Sequence, residues 1–416
     1  MPNSFEGRLL SRIDQLRGGL RLGLRTARAL GRVVEDEIGD RLGNSLPATQ
    51  SDVARRSVMD DLLQNHTPEG QMPMPRLRSV RLPGVDFESS NCINFLVEFE
   101  FEGRREDLPK TAYVKIPCEE TWPRVFANTL GYWSLECHFS ARIAPHLPIR
   151  IPTVYAVAER GSRFILVMEN LKESCDARMF INRDMAAGTT PDRAARVLET
   201  FAELHAHFWG WGRTQREALL PREFDTYRSR RSKRVTPMLN AAALDPAHRA
   251  APDLVTERIV ETCRIAVDRW DAVLDAWFHG PMTLCHGDSH LGNCFEYEES
   301  GRTKVGMIDF QAVQWSKGMR DVQYFLINSL EPDVLAENEE SLLRGYCEAL
   351  ASRGIDLPYE DAFEQYRAFS YQTLMVGVVP LGLAGLTERD ETVLAVTRRS
   401  AAAVERLGFR EWVEQL

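Results

Sequence analysis

The stretch that most constrains this chain runs Leu284-Cys285-His286-Gly287-Asp288-Ser289-His290-Leu291-Gly292-Asn293, and Val305-Gly306-Met307-Ile308-Asp309-Phe310-Gln311 follows it. It supplies two carboxylates and a carboxamide, Asp288, Asp309 and Asn293, with Asn293 five residues after Asp288. Oxygen donors of this kind suit Mg²⁺, a hard ion that takes one or two side chains and fills its shell with water and phosphate oxygens. A carboxylate left free of metal can orient a hydroxyl and take its proton. Between the two segments, Glu299-Ser300-Gly301-Arg302 reads as a hairpin turn joining two short strands.

The Asp288 to Asn293 spacing is that of the catalytic loop H-R-D-x-x-x-x-N, in which the Asp orients the attacking hydroxyl and the Asn holds metal; Asp309 falls where the Asp of D-F-G would fall. With His286-Gly287-Asp288 in place of H-R-D and with Ile308-Asp309-Phe310-Gln311, the chain resembles the aminoglycoside phosphotransferase and choline kinase superfamily. Trp315 and Arg320-Asp321-Val322-Gln323-Tyr324-Phe325-Leu326 look most like its ecdysteroid-kinase-like branch. The resemblance implies an α+β, protein-kinase-like bilobal fold with a small antiparallel β-sheet N-lobe and a large, mostly helical C-lobe. On that reading residues 1–79 are a helical N-terminal extension, 80–170 a nucleotide-binding lobe and 171–416 the lobe that holds the catalytic loop and substrate. It further implies ATP and Mg²⁺ as cofactors and the hydroxyl of a small molecule as phosphoryl acceptor. Asp288 would be the catalytic residue, His286 and Asp321 would brace its loop, and Asn293 and Asp309 would hold the metal.

In the expected nucleotide-binding lobe, Asn94 to Glu102 alternates apolar and polar residues as a half-buried strand does. Ala112-Tyr113-Val114-Lys115-Ile116 reads as another strand, with Lys115 placed like the Lys of V-A-I-K to reach nucleotide phosphates. Glu136, on the helix after Gly131, is the expected ion-pair partner of Lys115. Arg163 to Met168 is an apolar strand leading to Glu169-Asn170-Leu171, where the resemblance puts the backbone groups that hydrogen-bond adenine. No G-x-G-x-x-G precedes Asn94, so phosphate contacts at that turn are expected from Ser89, Ser90, Asn91 or backbone amides.

Further on, Thr190-Pro191-Asp192 carries a cap, a first-turn Pro and an acid on the positive helix end. His205 on the apolar face of that helix reads as a core histidine. A long helix is expected over 252–278, and others over 339–352, 362–374 and 392–407. The run from Arg228 to Arg234 reads as a solvated face, with attraction of an acidic substrate as the alternative. Trp315, Tyr324, Tyr371, Met375 and others from the stretch 376–386 are expected to wall the acceptor pocket, which would suit a hydrophobic alcohol, although core packing explains the same residues.

At the N-terminus, Arg8, Arg12, Arg17, Arg21, Arg25, Arg28 and Arg32 stripe an amphipathic helix. Gly18, Gly19, Gly23 and Gly31 each weaken it by about 1 kcal/mol, so it is expected to need a partner surface, the protein body, a second subunit of a homodimer or an anionic membrane; a targeting peptide is the other reading. Ser51 to Leu63 reads as a second helix.

A formal charge of −9 gives no support to nucleic-acid binding. Eight Cys without a C-x-x-C pair fit reduced thiols in the cytoplasm. The longest apolar run, Leu374 to Leu386, is broken by Pro380 and falls short of the roughly 20 residues that stable membrane insertion needs. Two alternatives stand beside the phosphotransferase. One is a nucleotide-binding regulatory protein without turnover, disfavoured because Lys115, Asp288, Asn293 and Asp309 are all present. The other is a metal-dependent hydrolase built on His286-x-Asp288-x-His290.

Overall fold

The computed structural model describes residues 5–41, 46–87, 92–103, 108–229, 233–383 and 391–416. They fall into two compact units: a sheet unit of residues 22–178 and 296–312, and a helical unit of residues 1–21, 179–295 and 313–416.

The sheet unit is built on strands β1 (Leu77–Arg81), β2 (Asp86–Phe87), β3 (Cys92–Phe101), β4 (Thr111–Pro117), β5 (Val154–Arg160) and β6 (Arg163–Glu169). They pair in the order β1-β3-β4-β6-β5, with β2 also on β3, and every pairing is antiparallel. The alternation read from Asn94 onward puts Phe95, Val97 and Phe99 into the core. Val53, Met59, Leu62 and Leu63 pack into the same core from two short helices. Residues 22–79 are therefore part of this unit's fold, and not a separate extension. The helix expected over Ser51 to Leu63 is two, Gln50–Val53 and Arg56–Asn65. Thr49 and Asp52 cap the first reciprocally, and Arg55 between them holds extended backbone.

The N-terminal helix, Phe5–Arg41, packs on the sheet unit through its second half. Ala29 and Val33 meet Val125. Asp36 accepts the Ser162 N–H at 2.6 Å, Glu37 pairs with Arg124 at 2.6 Å, and Asp40 pairs with Arg163. Arg124 is 1% exposed, so its charge requires such partners. Gly161 lies at φ +64°, and a Cβ there would stand 2.2 Å from Asp36 Oδ1. Acidic residues at the end of the helix make these contacts; the side chains of Arg8, Arg12, Arg17 and Arg21 lie outside the described residues.

In the helical unit, Pro191–Phe208 is capped by Thr190, whose hydroxyl accepts the Arg193 N–H at 3.3 Å. The helix expected over 252–278 is two, Glu257–Asp268 and Trp270–Phe278, interrupted at Arg269. The interruption lets Trp270 and Trp277 meet edge to face at 5.6 Å in the unit's core, where the Trp277 indole N–H donates to the Ala368 carbonyl at 2.8 Å. Tyr371 and Met375, expected on a pocket wall, belong to this core, with Tyr371 stacked on Phe409 at 5.6 Å. Core packing accounts for both positions. A two-stranded ladder pairs Thr283–Cys285 with Gln314–Ser316. The chain leaves the helical unit within strand Cys294–Glu299 and turns through Ser300 (φ 54°) and Gly301 (φ 74°) into strand Arg302–Met307, the two positive φ values of a type I′ hairpin.

Among the described residues, no helix is long and apolar enough to cross a membrane.

Candidate active site

In the helical unit the strand ladder ends at Cys285 and the chain turns sharply at Gly287, at φ 91°, a conformation that suits glycine alone among common residues. Asp321, buried in the first turn of helix Met319–Ser329, holds this turn. It accepts the N–H groups of His286 at 2.6 Å and Gly287 at 3.0 Å and the Ser289 hydroxyl at 3.2 Å. His205 Nε2 lies 3.3 Å from Asp321, and its Nδ1 lies 2.8 Å from the Tyr346 hydroxyl. Both contacts are satisfied when Nε2 carries the proton and Tyr346 donates to Nδ1. Burial works to raise the Asp321 pKa, but the hydrogen bond from His205, with Arg320 and His286, brings it down to about 2. His205 is thus a satisfied core histidine, and it orients the acid that shapes the loop.

Asp288 follows the turn. Its N–H donates to His286 Nδ1 at 3.2 Å, and its carbonyl accepts Asn293 Nδ2 at 2.8 Å. Its carboxylate accepts the Tyr324 hydroxyl at 2.8 Å and lies 3.7 Å from His290 Nε2. Burial opposes ionisation here, but His290, the Tyr324 hydrogen bond, His286 and Arg320 outweigh it, and Asp288 is held below the usual carboxylate range. Burial and the Asp288 charge push the Tyr324 phenol far up, so Tyr324 remains a donor. Sequence reasoning gave Tyr324 only a wall position. Its place three residues after Asp321 signalled the helix face it shares with that acid, and not where its hydroxyl points.

In the sheet unit, Lys115 sits on β4 between Asn94 of β3 and Leu166 of β6. Its ammonium donates to Glu136 at 2.7 and 2.9 Å and lies 3.4 Å from Asp309 Oδ1. Glu136 is carried by helix Tyr132–His138, which starts where Gly131, at φ 82°, ends the preceding helix Thr121–Leu130. Burial would lower the Lys115 pKa, but Asp309 and Glu136 raise it well above its ordinary value, so the ammonium persists. Burial pushes the Glu136 carboxyl up to about 7, against the attraction of Lys115. Asp309 adopts φ 62°, uncommon for a residue with a side chain and a mark of functional sites. Phe310 beside it stacks flat on Phe139, with ring centroids 4.1 Å apart.

Each expected metal ligand, taken within its own unit, keeps an oxygen donor. Asn293 donates through Nδ2 and keeps Oδ1 without a partner among the described residues, and Asp309 turns one carboxylate oxygen towards Lys115 and keeps the other. Hard oxygen donors of this sort are what Mg²⁺ takes. The hydrolase triad is not assembled. Among the described residues the one group of three His, Cys or carboxylate ligand atoms lying within 4.8 Å is His205, Cys285 and Asp321, fully buried and without Asp288 or His290.

The adenine-binding expectation is narrowed. The Glu169 N–H donates to the Thr153 carbonyl at 2.8 Å, and its carboxylate pairs with Arg150 at 2.9 Å. The Asn170 side chain caps helix Leu171–Cys175, and its carbonyl accepts from Glu173 at 3.0 Å. The Glu169 N–H and the Asn170 carbonyl are committed to the fold, and the Leu171 N–H remains without a partner among the described residues. Ser89, Ser90 and Asn91 lie outside the described residues.

Sheet and helical unit together define the bilobal α+β fold of kinase-like proteins, shared with the Plasmodium vivax ethanolamine kinase at 11% identity over 80% of this chain and 83% of that one, TM-score 0.50. A Ralstonia eutropha JMP134 protein assigned as an aminoglycoside phosphotransferase aligns at 13% identity over 85% of this chain and 97% of its own, TM-score 0.48. A choline/ethanolamine kinase family protein from Mesorhizobium loti aligns at 15% identity over 75% and 91%, TM-score 0.41. No curated protein matches. A sequence model of the ecdysteroid kinase-like family matches residues 138–359, more than half of the chain. The chain belongs to that family, among the kinase-like small-molecule phosphotransferases.

Proposed function

We propose that the protein transfers the γ-phosphoryl group of ATP, with Mg²⁺, to the hydroxyl of a small molecule that has an apolar body. The observation that carries this reading is the state of Asp288, an ionised carboxylate held by Tyr324 on a turn that Asp321 braces. Such a group accepts the hydroxyl's hydrogen bond and takes its proton as the oxygen bonds to phosphorus. Lys115, fixed by Glu136, is assigned to the α- and β-phosphates, and Asn293 and Asp309 to the metal, with His286 holding the loop. The bound metal would neutralise charge on the phosphates. Of the expected wall residues, Trp315 lines a cavity of the helical unit, and its ring is the surface assigned to the apolar body of the acceptor.

The test is a thermal-shift titration with ATP and Mg²⁺. A ligand that binds only the folded protein adds about 2.7 kcal/mol at one hundred times its Kd. The expected result is an Mg²⁺-dependent rise in Tm that Asp309→Ala abolishes and Asp288→Asn keeps. Absence of any shift with ATP or GTP would overturn the reading.

A further inference from the structure

The helical unit holds a cavity of about 200 Å³ to which the phosphoryl-transfer roles assigned above give no polar task. Gln314 and Trp315 form one wall of it. Their strand pairs with Thr283–Cys285, Gln314 opposite Cys285 and Trp315 opposite Leu284. Cys285 lies three residues before Asp288, so the ladder ties this wall to the start of the Asp288 loop.

The lining is cationic. Four arginines, Arg213, Arg216, Arg222 and Arg228, line it against two carboxylates, Glu217 and Asp225. Both carboxylates are committed, Glu217 to Arg213 at 2.8 Å and Asp225 to Arg228 at 2.7 Å. Arg228 also lies over the Phe278 ring at 4.1 Å and donates to the Trp315 carbonyl at 3.3 Å. The guanidinium groups of Arg216 and Arg222 have neither carboxylate nor hydrogen-bond acceptor among the described residues. Arg216 is half-buried; burial and Arg228 lower its pKa against the attraction of Glu217, and Arg213 adds to the lowering. Positive charge gathered in a concave site in excess of its carboxylates focuses an attractive field for anions. A guanidinium fork matches the two oxygens of a carboxylate. The Trp315 indole N–H donates to the Arg216 carbonyl at 3.1 Å, which fixes an aromatic ring beside the arginine backbone.

Building on the phosphotransferase reading, we propose that this cavity receives the carboxylate of the acceptor, so that the substrate class is a hydroxy acid with an apolar body. Arg216 and Arg222 bind the carboxylate and Trp315 contacts the body. In the reaction the hydroxyl oxygen of the acid bonds to the γ-phosphorus of ATP, the bond from that phosphorus to the bridging oxygen of ADP breaks, and the hydroxyl proton passes to Asp288.

The test compares ω-hydroxydodecanoate with its methyl ester on the full-length protein, by calorimetric binding without nucleotide and by kcat/KM with Mg²⁺ and ATP. The acid is expected to bind about tenfold or more tightly than the ester, the preference shrinking as salt is raised. Arg216→Gln and Arg222→Gln should each bring the acid-to-ester ratio towards one, with the circular-dichroism melt unchanged. Arg216→Lys should keep part of the preference, because it retains charge and loses the fork. Equal affinity for acid and ester, or a preference that survives the double Arg216→Gln, Arg222→Gln variant, overturns the proposal. Phosphate transfer to both compounds at equal kcat/KM also overturns it and leaves the phosphotransferase reading intact. Tight binding of the acid without transfer to any alcohol leaves the anion site standing and removes the phosphotransferase reading.

Discussion

Asp288 is kept ionised by its neighbours. Tyr324 donates to it at 2.8 Å, and His290 stands 3.7 Å away. A carboxylate held below the usual range is a weak base, which suits phosphoryl transfer through a loose transition state, where the proton moves late and alignment matters most. Asp288→Asn keeps the shape and loses the charge, and kcat is expected to fall about 10²- to 10⁴-fold with Mg²⁺ and ATP still raising Tm. Tyr324→Phe removes a donor to the charged form, so the Asp288 pKa rises. The acid limb of the kcat/KM profile should then move to higher pH. Superimposable profiles for variant and wild type would show that the hydrogen bond does not tune Asp288. Spacing alone exposed Asp288 and Asn293, because a loop motif is a local pattern. It could not expose the Tyr324 hydroxyl, because an aromatic residue at helical spacing announces its bulk and says nothing of where its donor points.

The N-terminal helix shows the same limit in an element. Its arginines form the conspicuous pattern, yet Asp36, Glu37 and Asp40 dock it, and the partner of Asp36, Ser162, lies 126 residues away. A contact of that separation leaves no periodicity to read. The Thr190 cap, the β3 alternation and the Ser300-Gly301 turn were legible because each is settled within a few neighbouring residues. The break at Arg269 was not, because apolar spacing continues across it and packing of Trp270 on Trp277 decides the geometry. Gly161 is the point where the docked helix is most exposed to change. Ala there meets both the left-handed φ of 64° and the Asp36 carboxylate 2.2 Å from its Cβ. Gly161→Ala should cost about 1–3 kcal/mol, part backbone strain and part a Ser162 N–H left without its acceptor. Hydrogen exchange would then rise over residues 29–40, and wild-type protection in the variant would show that Asp36 does not hold the helix.

At the scale of the whole molecule, two units with separate cores need not unfold as one, so a single melting temperature is not assured. Changes at Gly161 and Asp321 should act on different transitions, the first on the sheet unit and the second on the helical unit. For Asp321 the dependence on pH follows from linkage. Its carboxyl titrates at about 2 in the folded protein, below the roughly 3.9 of an unfolded Asp. A depressed carboxylate contributes stability that is complete above the unfolded value and disappears as pH falls through the folded one. The contribution is on the order of 2–3 kcal/mol near neutrality, and by about pH 3 roughly half of it is gone. Asp321→Asn removes this contribution and also presents an amide where two backbone N–H groups seek an acceptor. The stability difference between wild type and variant, read from urea midpoints of the helical-unit transition, should therefore be flat from pH 7 to about pH 5 and narrow steadily below about pH 4. Other carboxylates titrate alike in both proteins and cancel in the difference, so a gap that stays constant down to about pH 3 would mean that Asp321 is not the group whose ionisation holds the loop.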